Sequence, residues 1–265
     1  MSTGTEPDSA KRFSSRVEYY IKYRPQYPHA LIDFLKENLG LSSSSIIADV
    51  GSGPGVLSEM FLKNGNPVFG VEPNKEMREA AENLLAEYPG FRSVEGSAEA
   101  TTLEPESVDF VTAGQSFHWF DPQQSRAEFL RVLKPGGWTI LVWNNRRIDS
   151  TPFLGAYESF LCACGIDYQE VNHRNVDEKA LNQFFGADAY RVKVFDNAQV
   201  FDYESLKGRV LSSSYMPMEG HPKYEPMIKE LRKIFDEYQT DGTVKFEYDT
   251  EMYYGRIEQR YSESV

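Results

Sequence analysis

Cysteine is scarce in this sequence of 265 residues, which contains only Cys162 and Cys164. The two stand two positions apart, a spacing that turns them to different sides of a helix and predicts neither a disulfide nor a metal site. We interpret them as two small core residues of a protein from a reducing compartment.

Positive charge and long apolar runs are also scarce. The sequence contains 28 Lys and Arg residues and 40 Asp and Glu residues, which gives a formal charge of −12 at pH 7. Such a charge repels a phosphate backbone or an anionic membrane, so nucleic acid is not an expected partner. No run approaches the ~20 apolar residues of a spanning helix, and residues 1–10 lack the apolar core of a signal peptide. These absences predict a cytoplasmic protein with no membrane partner.

Short apolar runs alternate with amphipathic helices between residues 46 and 143. The clearest helix has Asn74 as its predicted N-cap and Met77 on its apolar face, and a later one begins at Asp121-Pro122, a cap followed by a first-turn proline. Strands that alternate with helices need crossover connections, which predicts a mostly parallel sheet covered on both faces. The predicted strands lie at 46–50, 68–71, 91–94, 108–113 and 138–143.

A glycine-rich turn, Asp49-Val50-Gly51-Ser52-Gly53-Pro54-Gly55, follows the first predicted strand. Glycines let the backbone turn tightly and approach a ligand, and the next helix offers free N–H groups. The second strand ends at Glu72, whose carboxylate can accept two hydrogen bonds from ribose hydroxyls. The pattern favours a nucleoside-containing ligand; a ligand-free turn and a solvated strand-end acid are the alternatives.

The third glycine of the dinucleotide fingerprint is missing, because Val56 stands at its position. This disfavours a nicotinamide-dependent oxidoreductase, which we keep as an alternative. A sulfonium cofactor has no phosphate to accommodate, and Asp49 could attract the ammonium group of its methionine end.

The ordered motifs of residues 46–146 resemble those of class I S-adenosylmethionine-dependent methyltransferases of the type 11 group. Two further motifs, Phe117-His118-Trp119-Phe120-Asp121 and Tyr20-x-x-Tyr23-Arg24-Pro25-x-Tyr27-Pro28, are similar to the subgroup that contains trans-aconitate methyltransferase-like enzymes. The motifs that carry the main resemblance are Ala48–Gly55, Val71–Asn74 with Met77, Glu95–Glu99, Val108–Asp121 and Leu133–Gly137.

The resemblance implies an α/β fold, a Rossmann-like doubly wound seven-stranded sheet whose last strand is antiparallel. It also implies a helical N-terminal lid over residues 1–40 and a methyltransferase domain over residues 41–265. Substrate-recognition insertions, including a C-terminal helical insertion, are expected around 150–188 and 203–240.

The cofactor implied by the resemblance is S-adenosyl-L-methionine, with no metal. Ser97 departs from the pattern, because many relatives have an acid there for the adenine amino group, and a hydroxyl accepts that bond more weakly. The implied contacts are Gly51, Gly53 and Gln115 with the methionine portion, Ser52 with the cofactor, Glu72 with the ribose, Pro73 and Met77 with the adenine or ribose, Ser97 and Ala98 with the adenine edge, Tyr20 with the sulfonium as part of the lid, and Arg24 with the methionine carboxylate.

His118 is the predicted catalytic residue, since an imidazole after the fourth strand could deprotonate a hydroxyl or amine. A histidine that only shapes the pocket is the alternative, and a carboxylate acceptor would need no base.

Residues 212–217, with three serines and Tyr215, could line the acceptor pocket. The predicted function is methyl transfer to a small molecule, most simply at oxygen, by a monomer or homodimer; a regulatory protein that binds the cofactor without turnover, and methylation of protein or RNA, stay open.

Overall fold

The computed structural model describes residues 17–166, Tyr168, 178–186 and 189–258. Its sheet has the strand order β3-β2-β1-β4-β5-β7-β6, and its last strand is antiparallel, as the resemblance implies. The strands are β1 (Ile47–Val50), β2 (Val68–Val71), β3 (Phe91–Val94), β4 (Val108–Gly114), β5 (Leu133–Arg146), β6 (Tyr190–Phe201) and β7 (Val244–Gly255).

Helices alternate with the strands, which gives the doubly wound arrangement predicted from the sequence. A 3-10 turn, Phe117–Trp119, follows β4. The α-helices of the described residues are α1 (Val17–Tyr23), α2 (Ala30–Leu39), α3 (Val56–Lys63), α4 (Lys75–Leu84), α5 (Pro122–Val132), α6 (Pro152–Cys164), α7 (Glu178–Phe185), α8 (Tyr203–Leu211) and α9 (Tyr224–Tyr238). None of them is long and apolar enough to cross a membrane.

The strand order reverses between β1 and β4. The chain runs from β1 outward to β2 and β3, and then returns to pair β4 with the other side of β1, all in parallel. In open parallel sheets, ligands bind beyond the carboxyl ends of the strands at this reversal. The segments that start at Gly51 and Gln115 therefore flank the expected crevice.

Both predicted helix caps are present. The Asn74 side chain accepts a hydrogen bond from the Met77 N–H, and the Asp121 carboxylate accepts from the N–H groups of Gln123 and Gln124. These bonds satisfy backbone donors that have no partner within the helix. They fix where α4 and α5 begin, immediately beside the strand ends that carry the site.

The described residues form two compact units. Unit 1 comprises residues up to 25, 145–174 and 196–249, and unit 2 comprises 26–144, 175–195 and those from 250 onward. The division between these units thus falls between residues 25 and 26. The reason is that α2 belongs to the core of unit 2, where Leu31 and Leu35 are completely buried beside Ile47 of β1.

Unit 1 has a core of its own, built on α6, α8, α9 and the unit 1 parts of β6 and β7. Fully buried Tyr157, Leu206, Leu231 and Phe246 belong to it. Cys162, predicted as a core residue, is exposed instead, while Cys164 is half-buried, and both thiols are free. The prediction failed for Cys162 because the two-residue spacing turns one cysteine of α6 outward.

Candidate functional site

The glycine turn after β1 adopts a conformation that only glycine enters easily. Gly51, Gly53 and Gly55 have φ values of +65°, +54° and +89°. A Cβ on Gly51 would lie 2.7 Å from the Ser116 Cβ, and one on Gly55 would lie 2.6 Å from Leu85. Gly53 differs, because no atom lies within 4 Å of the position its Cβ would take. The outer two glycines therefore serve packing, whereas the space beside Gly53 is open, and its contact with the cofactor stays a prediction.

Glu72 is attached directly to this turn. Its Oε2 accepts a hydrogen bond from the Gly53 N–H at 3.0 Å, and its Oε1 accepts from the Asn74 N–H at 2.9 Å. Burial raises the pKa of Glu72, while those two N–H groups and the Arg78 charge oppose the rise. A carboxylate has about four acceptor sites, so each oxygen keeps a lone pair for a further donor. The arrangement can hold a diol between the two strand ends.

Asp49 lies completely buried at the end of β1. Ser58 Oγ donates to its Oδ2 at 2.7 Å, and Thr112 Oγ1 donates to its Oδ1 at 3.3 Å. Burial raises the pKa of Asp49 to about 7; the Ser58 and Thr112 hydrogen bonds oppose this, and the Glu72 charge adds to it. Its internal hydrogen bonds give Asp49 a structural role, and its attraction for a ligand ammonium group stays a prediction.

Asp49 should make the free energy of unfolding fall as the pH rises. Because the pKa is higher in the folded protein, that state keeps a proton between pH 4 and 7 that the unfolded chain releases. We expect Asp49→Asn to remove this component, so that its free energy of unfolding changes less between pH 4.5 and pH 8 than that of the wild type. Urea unfolding at pH 4.5 and 8 measures the difference. Exposed Asp149→Asn is the control, and an Asp49→Asn variant with the pH dependence of the wild type would contradict the assignment.

The predicted adenine contacts lie at the ends of β2 and β3. Met77 is buried and Pro73 is exposed, and the two flank the N-terminus of α4. Ala98 is buried in the core of unit 2, whereas the half-buried Ser97 accepts a hydrogen bond from the Glu99 N–H at 3.3 Å. The Oε1 of neighbouring Glu99 accepts a hydrogen bond from the Asp121 N–H at 2.9 Å. The Ser97 hydroxyl still has a lone pair to offer an adenine amino group.

Gln115 stands at the carboxyl end of β4 with a φ of +57°. Such a conformation is uncommon outside glycine and is frequent at functional sites. The Gln115 Nε2 donates to the Asn144 carbonyl at 3.3 Å, and the next residue, Ser116, donates its hydroxyl to the Val50 carbonyl at 3.0 Å. Ser116 and this backbone conformation were not found from the sequence, because no local pattern marks either.

His118 lies in the short 3-10 turn directly after Gln115 and is exposed. Its ring centroid is 4.7 Å from that of Trp119, which is itself half exposed. The turn therefore presents an imidazole and an indole at the carboxyl end of β4. The role of His118 as a base stays a prediction.

The predicted lid residues belong to unit 1. The side chain of Tyr20 lies outside the described residues, although its backbone is part of α1. Arg24 donates from Nη2 to the Ser212 carbonyl at 3.2 Å. Its proposed pairing with the methionine carboxylate stays a prediction. Nowhere in the described part of the chain do three His, Cys, Asp or Glu side chains come close enough to hold a metal ion.

Comparison with known proteins identifies the central segment. Residues 48–141 match a family described as a methyltransferase domain. An uncharacterized methyltransferase of Schizosaccharomyces pombe is 29% identical over 243 residues, 89% of this chain and 93% of that protein.

Solved structures agree with the fold. One, assigned as a type II methyltransferase of Anaeromyxobacter dehalogenans, superposes with a TM-score of 0.63 at 20% identity, covering 89% of this chain and 98% of that one. Phosphoethanolamine N-methyltransferase 2 of Haemonchus contortus, solved with S-adenosylhomocysteine, superposes with a TM-score of 0.56 at 14% identity. The superposition covers 95% of this chain and 59% of that one.

The matched segment contains the glycine turn and Glu72, and it is similar to the methyltransferase domain family. More particularly, the fold and the relatives are those of S-adenosylmethionine-dependent methyltransferases, to which this chain is similar. This confirms the resemblance seen in the motifs of residues 46–146.

Proposed function

We propose that this methyltransferase holds S-adenosyl-L-methionine between the glycine turn and Glu72 and transfers its methyl group to an oxygen of a small molecule. The observation that carries this proposal is the hydrogen bond from the Gly53 N–H to Glu72 Oε2. It holds the Glu72 carboxylate, which can accept hydrogen bonds from a diol, beside the open space at Gly53. The position at the strand-order reversal supports the same ligand.

The side chains around the turn fit this cofactor and not a dinucleotide. Glu72 and Asp49 add two acids where a ligand with a sulfonium and an ammonium group would bring positive charge. Val56, at the position of the missing third glycine, is buried at the start of α3. A pyrophosphate would meet Glu72 and a valine there, which disfavours the oxidoreductase alternative.

The bound cofactor would supply an electrophilic methyl group on a positively charged sulfur. Transfer is an in-line displacement, so the tasks of the protein are to align the acceptor and to exclude water. The Gly53 backbone and Glu72 would orient the nucleoside, and Gln115 at the end of β4 would face the methionine portion. His118, three residues further on, would take the proton of a hydroxyl acceptor.

His118→Asn should lower kcat by about 100-fold, while the dissociation constant of S-adenosylhomocysteine stays unchanged, because general-base catalysis contributes about 10²–10⁴ to such rates. The assay uses the acceptor found by screening metabolites with radiolabelled donor. His29→Asn, which changes an exposed imidazole at the start of α2, is the control. An unchanged kcat in His118→Asn would remove this residue from catalysis and leave an acceptor that needs no base.

Calorimetric titration tests the proposed function first. Both S-adenosylmethionine and S-adenosylhomocysteine should release or absorb heat at tens of micromolar protein, with a single site. No heat from either would defeat the proposal. Binding of both without methyl transfer to any metabolite in the screen would favour the regulatory alternative.

A further inference from the structure

A cavity of about 660 Å³ lies in unit 2, at the end of the sheet opposite the glycine turn. Trp138 of β5 lines it and pairs with Phe110 of β4, which pairs in turn with Ile47, the first residue of β1. The cavity therefore lies at the amino ends of the parallel strands. Gln115 stands five residues beyond Phe110, which is about 16 Å along an extended chain. The cavity is thus separate from the crevice proposed for the cofactor.

Aromatic side chains form walls of this cavity. The ring centroids of Trp138 and Tyr254 lie 6.3 Å apart, and those of Phe185 and Tyr190 lie 5.3 Å apart. The first pair packs on the same side of the sheet as α2, and the second pair on the side of α5. Gly255 brings the two pairs together, because a Cβ there would lie 3.1 Å from the Phe185 ring. These packed rings offer flat apolar surfaces to a planar group.

Three guanidinium groups line the same cavity. They belong to Arg126 of α5, Arg191 of β6 and Arg256, which follows β7. Glu258 supplies the one carboxylate among the described lining residues, so three positive charges stand against one negative charge. The whole chain has a formal charge of −12, and the lining has an excess of two positive charges. A local excess of this sign attracts an anion to the cavity.

Two of these arginines have no counterion among the residues that the structure describes. Arg191 and Arg256 are both exposed and form no ion pair there. The guanidinium carbon of Arg256 lies 4.5 Å from the centroid of the Trp138 ring. Stacking on an aromatic face orients a guanidinium and leaves the N–H groups at its edge able to donate to an oxyanion. The cavity thus combines an oriented cation with an aromatic wall.

We propose that this cavity is a second binding site, for a phosphate monoester that carries a planar ring, such as a nucleoside monophosphate. A phosphate monoester has a charge of about −1.5 to −2 at pH 7, which matches the excess of two positive charges better than a single carboxylate does. Its oxygens would accept from Arg191 and Arg256, and its ring would lie against Trp138 and Tyr254. The volume is within the ~300–1,000 Å³ of small-molecule sites. This site needs no bound cofactor, so it does not rest on the function proposed above.

Calorimetric titration of the full chain with adenosine monophosphate and uridine monophosphate tests the site. Each titration is run with and without saturating S-adenosylhomocysteine. Adenosine, uridine and sodium phosphate, at the same ionic strength, represent the two parts of the ligand. In the presence of S-adenosylhomocysteine, we expect at least one nucleotide to bind at a single site. Its dissociation constant should be at least about tenfold lower than those of its nucleoside and of phosphate, and S-adenosylhomocysteine should not change it.

Variants of the lining arginines connect this binding to the cavity. Arg191→Gln and Arg256→Gln should each raise the dissociation constant of the nucleotide at least about tenfold, because each removes a charged donor. Arg256→Lys keeps the charge but not the fork and should be intermediate. Arg92→Gln is the matched control, since Arg92 of β3 is also exposed and also forms no ion pair with the described residues. All four variants should keep a Tm close to that of the wild type in the absence of ligand.

Several results would each overturn the proposal. They are no binding of either nucleotide at millimolar concentration, a nucleoside or phosphate alone that binds as tightly, an affinity that Arg191→Gln or Arg256→Gln leaves unchanged, an equal loss in Arg92→Gln, and displacement of the nucleotide by S-adenosylhomocysteine. A protein that binds the nucleotide in this cavity but no S-adenosylhomocysteine would refute the proposed function alone. One that binds S-adenosylhomocysteine but neither nucleotide would refute the second site alone.

Discussion

Replacing Glu72 by alanine should weaken S-adenosylmethionine binding by about 30-fold or more, which corresponds to about 2 kcal/mol. The variant loses the charged acceptor proposed for the ribose hydroxyls. It also loses the partner of the Gly53 and Asn74 N–H groups, which hold the turn against the start of α4. Isothermal titration of wild type and variant measures the change.

Two further variants separate these contributions. Glu72→Gln keeps an acceptor oxygen and the volume of the side chain but removes the charge, so its loss of affinity should be smaller. Glu76→Ala removes an exposed carboxylate from the first turn of α4 and should leave the affinity unchanged. A Glu72→Ala variant with the dissociation constant of the wild type would exclude Glu72 from the site.

Gly53→Ala should weaken cofactor binding at least tenfold through a single methyl group. The position has a φ of +54°, and no protein atom lies within 4 Å of the added Cβ. The new methyl therefore meets no protein neighbour and enters the space proposed for the ligand. The backbone strain itself should cost about 1 kcal/mol of unfolding free energy.

Gly40→Ala is a matched control, because Gly40 also has a positive φ, +74°, and also has no atom within 4 Å of its Cβ position. It ends α2, away from the glycine turn. Both variants should lose similar stability in urea, and only Gly53→Ala should lose affinity. Equal affinities in the two variants would mean that the space beside Gly53 is not part of the binding site.

The features that follow from local sequence were predictable. Asn74 and Asp121 cap helices because a short polar side chain precedes an amphipathic run, and both caps form as expected. The alternation of strands and helices likewise predicted the parallel sheet, since parallel strands require crossover connections. Glu72 was marked by its place at a strand end, although its two backbone hydrogen bonds were not foreseen.

The features that depend on distant residues were not predictable. Nothing in the sequence around Asp49 shows that Ser58 and Thr112 bury it with a raised pKa, because these partners come from α3 and β4. The burial of Arg209 on α8, where 7% of the residue is exposed, was not predictable for the same reason, since a lone arginine in an amphipathic helix ordinarily points to solvent.

A crystal structure with S-adenosylhomocysteine tests the central claim most directly. The account predicts that the ribose hydroxyls lie within hydrogen-bond distance of Glu72 and that the ligand occupies the open side of Gly53. Density for the ligand elsewhere, with Glu72 bonded only to the Gly53 and Asn74 N–H groups, would contradict it.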